Sequence, residues 1–114
     1  MGGLITTYAA CTYPHVFKRV ASLSSAYWFN QIQIENLIEE SELSQVERFY
    51  LDIGTKENTE NPDDLTYIES SRKVFRLLKD KVQDCRFESV EGAKHNEFSW
   101  RERFPMILNY LLKD

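Results

Sequence analysis

Apolar residues recur along this chain at two spacings, and the spacing divides it into helices and strands. The clearest helical stripe is Leu65, Ile68, Phe75, Leu78 and Val82, with Val74 and Leu77 beside it, while Glu69, Arg72, Lys73, Arg76, Lys79 and Asp80 cover the rest. Recurrence at three and four residues puts such positions on one face of an α-helix. Residues 30–42 carry Ile32, Ile34, Leu37 and Ile38 and predict a second amphipathic helix with Asn30 as N-cap. The segment from Gly3 through Leu4 to Cys11 is rich in small residues and predicts a helix lying close against a sheet. Tyr13-Pro14 halts it, because the residue before proline is pushed out of the α region. The last segment has Ser99 and Glu102 at capping-box spacing, then Pro105, then a stripe of Ile107, Leu108, Leu111 and Leu112. Either a short turn precedes a helix that starts at Pro105, or one helix is kinked there. Phe17 to Leu23, Arg48 to Gly54 and Asp84 to Val90 read as strands. Thr55 to Asp64 is polar, contains Pro62 and predicts a long loop.

The order is therefore helix, strand, helix, strand, helix, strand, helix. Strands separated by amphipathic helices pair in parallel through right-handed crossovers. The expected class is α/β, a three-layer α/β/α arrangement on a parallel sheet of three strands. Such a sheet needs helices on both faces and protection at its edges.

Composition narrows the function classes. A length of 114 residues allows one domain. The net charge of −4 is spread over interleaved acids and bases, with no basic stripe to neutralise phosphates, so nucleic acid is not an expected partner. No apolar run approaches the length of a membrane span and no leader pattern opens the chain, which makes the cytoplasm the expected compartment. Cys11 and Cys85 form no metal or redox spacing and read as buried thiols. No metal and no cofactor are expected.

Chemistry concentrates in Glu91-Gly92-Ala93-Lys94-His95-Asn96-Glu97-Phe98-Ser99-Trp100. A histidine on a loop leaving a strand, with Gly92 to let the chain turn, is placed for acid–base work or for plain exposure to solvent. Tyr27, Trp28 and Phe29 form an aromatic loop that either walls a ligand pocket or packs as core. His15 lies in a turn beside Pro14 and reads as a surface residue. Ser24 and Ser25 end a strand without any nucleophile elbow.

Several stretches together resemble the C-terminal part of a serine esterase of the α/β-hydrolase fold, in the group that includes enterochelin-esterase-like and esterase-D-like enzymes. Met1-Gly2-Gly3-Leu4 matches the residues immediately after the nucleophilic serine of that family. Tyr13-Pro14-His15-Val16-Phe17 and Leu23-Ser24-Ser25-Ala26 match the approach to the next strand and its end. Leu51-Asp52-Ile53-Gly54-Thr55-Lys56-Glu57 matches the strand and turn that supply the triad acid, and Gly92-Ala93-Lys94-His95-Asn96-Glu97, with Trp100 and Arg103, matches the histidine loop.

The resemblance implies His95 as the catalytic base and Glu57 as the acid, with Asp52 the alternative acid. It implies the Met1 backbone N–H as an oxyanion donor, Tyr27 and Trp28 as pocket residues, Trp100 and Arg103 as groups that orient the histidine loop, and a small-molecule ester as substrate. The residue before Met1 would be the serine, so the expectation is a single partial domain over residues 1–114 that lacks the nucleophile elbow and is inactive alone. The alternative is a non-catalytic α/β module acting through self-association or a partner chain at an exposed sheet edge.

Overall fold

Alternation of side chains along three strands decides which helices cover which face of the sheet. The computed structural model describes residues 2–24, 27–56 and 64–113, with the backbone alone for Trp28, Phe29, Lys56 and Asp64. Its elements are α1 (Gly2–Thr12), β1 (Arg19–Leu23), a 3-10 turn (Tyr27–Asn30), α2 (Gln31–Glu40), β2 (Arg48–Lys56), α3 (Asp64–Leu78), β3 (Asp84–Lys94) and α4 (Glu97–Leu112). The strands lie in the order β1-β2-β3 and both pairings are parallel. Val20 is in register with Phe49, and Phe49 with Cys85.

The odd positions of β2, Phe49 and Leu51, join Val20, Ala10, Cys11, Ile34, Ile38, Val74 and Leu78 in one apolar cluster, which lies under α1, α2 and α3. Tyr50 points the other way and packs with Ile107 and Tyr110 of α4, flanked by Ala21 and Leu23. The result is the α/β/α layering expected of helices that cross over between parallel strands.

The ends of the helices are tied by side chains from other elements. Lys81 donates from Nζ to the carbonyls of Ile38 (2.6 Å), Glu39 (2.6 Å) and Ser41 (2.8 Å), closing the C-terminus of α2. Arg19 and Arg48 are register partners at the start of β1 and β2. Arg48 donates to the carbonyls of Tyr110 (2.9 Å), Leu111 (3.3 Å) and Lys113, and Arg19 donates to those of Leu111 (3.0 Å) and Lys113 (3.4 Å). Cations at a helix C-terminus satisfy orphan carbonyls and oppose the negative end of the dipole.

Several expectations are corrected. Asn30 holds the N-cap position of α2 as expected, but its side chain makes no cap hydrogen bond; it ends the 3-10 turn through which the chain enters the helix. Leu65 is 63% exposed, whereas Val74 and Leu78 are buried as expected, with Ser70 and Ser71 buried before them. α4 is one helix that contains Pro105, and its cap is Asn96, whose side chain accepts from the Ser99 N–H at 2.9 Å. Its buried face is Arg103, Ile107 and Tyr110, whereas Leu108 and Leu112 are exposed. β3 does not end at Val90 but runs on to Lys94, so Gly92 lies inside a strand. Between the register pairs Gly54–Val90 and Lys56–Lys94, β2 advances two residues and β3 four. Gly92 takes a φ of 77° at this irregularity and donates its N–H to Thr55 Oγ1 at 2.7 Å. That φ belongs to the left-handed region, where glycine carries no Cβ penalty.

Candidate active site

All three strands run the same way, so their C-terminal ends deliver side chains to one edge of the sheet. Ligands of open parallel sheets gather at that edge. β1 delivers Ser24, β2 delivers Asp52 and then Thr55, and β3 delivers Lys94 and His95.

Ser24 comes directly after β1 with a φ of 50°, the one described non-glycine residue in the left-handed region. Its N–H donates to the backbone carbonyl of Asp52 and to Asp52 Oδ1, both at 3.1 Å. Its Oγ accepts from Trp100 Nε1 at 3.0 Å and from Arg103 Nη2 at 3.0 Å.

Asp52 is 1% exposed and its carboxylate is fully engaged. Oδ1 accepts from the Ser24 N–H and from Arg103 Nη2 at 3.0 Å. Oδ2 accepts from Arg103 Nε at 2.8 Å and from the Tyr50 hydroxyl at 2.8 Å. An ionised carboxylate offers about four lone-pair directions, and here each oxygen accepts twice. Burial and the neighbouring Asp52 charge raise the Tyr50 phenol well above its ordinary range, so it stays a donor.

His95 is exposed at the end of β3. The backbone on either side is pinned: the Lys94 N–H donates to Ser99 Oγ at 3.0 Å, and the Asn96 N–H donates to the Lys94 carbonyl at 3.0 Å. The Asn96 cap and the reach of Ser99 back toward Lys94 form a reciprocal pair like a capping box, which holds the chain as it turns from strand to helix. The Trp100 ring meets the His95 ring edge-on, with centroids 5.0 Å apart and planes at 84°. A cavity of about 470 Å³ opens beside this turn, lined by Val90, Ala93, Lys94, Phe98, Ser99 and Arg103 among others.

The structure thus brings His95, Trp100, Arg103, Ser24 and Asp52 into one chain of contacts. Glu57 and Met1 lie outside the described residues. Trp28 is described only by its backbone. Tyr27 is corrected from pocket wall to core: it is 1% exposed, and its hydroxyl hydrogen-bonds Thr7 Oγ1 (2.8 Å) and Ser22 Oγ (2.7 Å). The 3-10 turn that replaces the expected loop swings this ring under α1. His15 is exposed in the turn before β1. Cys11 and Cys85 are free thiols, Cys11 buried and Cys85 half-buried. Burial raises both, Cys85 to about 12, which keeps them protonated and poorly nucleophilic. Sequence reasoning passed over Ser24 and over Asn96 as a cap. The spacing of Asn96 and Ser99 carried a signal for the second; nothing local carried one for the first.

Among the described residues no group of three or more His, Cys, Asp or Glu side chains is arranged to hold a metal ion, and no helix is long and apolar enough to cross a membrane. A family model described as Putative esterase matches residues 1–111. The chain is 29% identical over 119 aligned positions to a Bacillus subtilis (strain 168) protein named Uncharacterized protein YbbA, with 97% of this chain and 46% of that one covered. It therefore spans about half the length of the curated relative it matches. No solved structure matches it. Matched over residues 1–111, with its histidine turn at the C-terminal edge of a parallel sheet, the chain belongs to the Putative esterase family.

Proposed function

We propose that this chain supplies the base and the acid of a serine carboxylic-ester hydrolase, His95 and Glu57, and that the 114 residues alone are inactive. The supporting observation is the register of β2 and β3. Lys56 pairs with Lys94, and Glu57 and His95 each come one peptide bond later. Asp52, the alternative acid, is a poor candidate because Arg103, Tyr50 and Ser24 occupy its oxygens. In this reading His95 takes the proton of a serine hydroxyl as that oxygen attacks the ester carbonyl, then returns it to the leaving alcohol. Glu57 holds the imidazole tautomer and stabilises the imidazolium. A small-molecule ester is the substrate class that goes with the family, and the Met1 N–H is the proposed oxyanion donor.

No serine here is a candidate nucleophile. The sequence contains no G-x-S-x-G, and Ser24 Oγ is engaged by Trp100 and Arg103. Without a nucleophile and its oxyanion hole, little of the rate enhancement remains. Hydrolysis of a nitrophenyl ester by the chain is expected not to exceed that of free imidazole. Activity clearly above that level and lost in His95→Ala overturns the inactive reading. In any longer in-frame product that hydrolyses esters, His95→Ala is expected to abolish turnover and Glu57→Gln to lower it by several orders of magnitude. Unchanged turnover in His95→Ala overturns the triad assignment.

A second reading rests on β1, which pairs with β2 on one side only among the described strands. α1, which packs on β1, exposes Ile5 (62%) and Tyr8 (56%) beside a groove of about 590 Å³ toward α2. An open strand edge next to apolar side chains is a template for pairing. In this reading the chain works as a homo-oligomer. Sedimentation across a wide concentration range distinguishes the two: a folded monomer at all concentrations removes the self-association reading.

A further inference from the structure

We infer that Asp52, Arg103, Ser24 and Trp100 form a single positioning network that fixes the His95 imidazole, so that Asp52 acts on the site through Arg103. Its consequence for catalysis rests on the esterase reading above; its geometry does not.

Arg103 is 5% exposed and divides its donors among three elements. Nε and Nη2 grip Asp52 of β2 at 2.8 and 3.0 Å, in the two-pronged geometry that guanidinium and carboxylate share. Nη2 also reaches Ser24 Oγ, just past β1, at 3.0 Å. Nη1 donates to the Ser99 carbonyl in the first turn of α4 at 3.1 Å. The first turn of α4 is thereby locked to the centre of the sheet. Trp100 lies in the same turn. Its Nε1 donates to the same Ser24 Oγ, and its ring abuts His95.

Ser24 is the junction. Its left-handed backbone lets the N–H turn back onto Asp52 while Oγ receives both Trp100 and Arg103. A buried ion pair is seldom retained for net stability alone, since apolar replacements of like volume often do as well. What apolar residues cannot reproduce here is direction. The pair turns the fixed position of Asp52 in β2 into a fixed orientation of the Trp100 ring, and that ring limits the His95 imidazole.

The sequence makes the test clean. It holds two histidines, His15 and His95, and two tryptophans, Trp28 and Trp100. His15 sits exposed in the turn before β1 and serves as the internal control. The variants are Arg103→Lys, which keeps the charge and loses the branched grip, and Ser24→Gly, which removes the hydroxyl and accepts the left-handed backbone without strain. The readouts are the Trp100 indole N–H and the His95 ring-proton resonances in NMR spectra of the intact chain.

Both variants are expected to move the Trp100 indole proton upfield toward the position of a solvent-exposed indole. They are also expected to shift and broaden the His95 ring protons, with His15 unmoved. A folded Ser24→Gly protein whose Trp100 and His95 resonances stay at their wild-type positions overturns the proposal. So does one in which Trp100 moves and His95 does not, because the network then stops short of the histidine. If Arg103→Lys fails to fold, Ser24→Gly decides alone. Failure of the esterase reading shows in the turnover of His95→Ala and leaves these resonances untouched.

Discussion

Asp52 and Arg103 show how residue type and burial together set what a side chain can do. Each is nearly inaccessible, and each is the charge that balances the other in the core. Removing one partner of such a pair leaves an uncompensated buried charge, at a cost of about 3–5 kcal/mol. Arg103→Ala is therefore expected to lose that much in urea unfolding. Asp52→Leu combined with Arg103→Met is expected to recover most of it while leaving the Trp100 indole unanchored. A double variant no more stable than Arg103→Ala contradicts this account. The sequence made the placement of His95 just past a strand legible, because a strand-like run and Gly92 precede it. It did not make the engagement of Asp52 legible. Arg103 lies 51 residues from Asp52 and Trp100 lies 76 from Ser24, and no local pattern reports pairings of that separation. For Tyr27 the choice between pocket wall and core, open in the sequence, turns on its hydroxyl partners Thr7 in α1 and Ser22 in β1.

At the scale of elements, hydrophobic spacing, with the small residues of the first helix, anticipated the class and order of α1 to α4 and β1 to β3, while the boundaries are set by forces outside the spacing. α4 runs through Pro105 because that position and Arg101, whose carbonyl loses its usual donor there, both face solvent, where water replaces the bond. β3 outruns its apolar pattern because backbone pairing with β2 continues past the irregularity at Gly92. α2 has no basic residue in its own last turn, and Lys81, from beyond α3, supplies the cation instead. Such a contact between a partly exposed cation and helix carbonyls contributes about 1 kcal/mol. In a domain of this size that corresponds to roughly 4 °C in the melting temperature. Lys81→Met is expected to lower the midpoint by that amount, read by circular dichroism, with Lys79→Met on the exposed side of the same turn as the unaffected control.

The whole molecule is loaded unequally across its sheet. Among the described residues, thirteen buried apolar side chains form the cluster under α1, α2 and α3, against three in the cluster under α4. α4 is held instead by polar contacts, by Arg103 in its second turn on Asp52 and Ser24 and by Arg19 and Arg48 on its last carbonyls. A helix fastened by polar pins over little apolar area can detach without the rest unfolding. Hydrogen exchange gives that a definite signature. The urea dependence of an opening scales with the surface it exposes, and openings smaller than global unfolding involve contiguous segments. Amides of α4 are therefore expected to exchange through an opening of shallow urea dependence, and those of α1, β2 and α3 through one of steep dependence that merges with global unfolding. Because His95 immediately precedes α4, each such detachment also releases the histidine turn, so the site is expected to be lost at urea concentrations where the remainder of the sheet still stands.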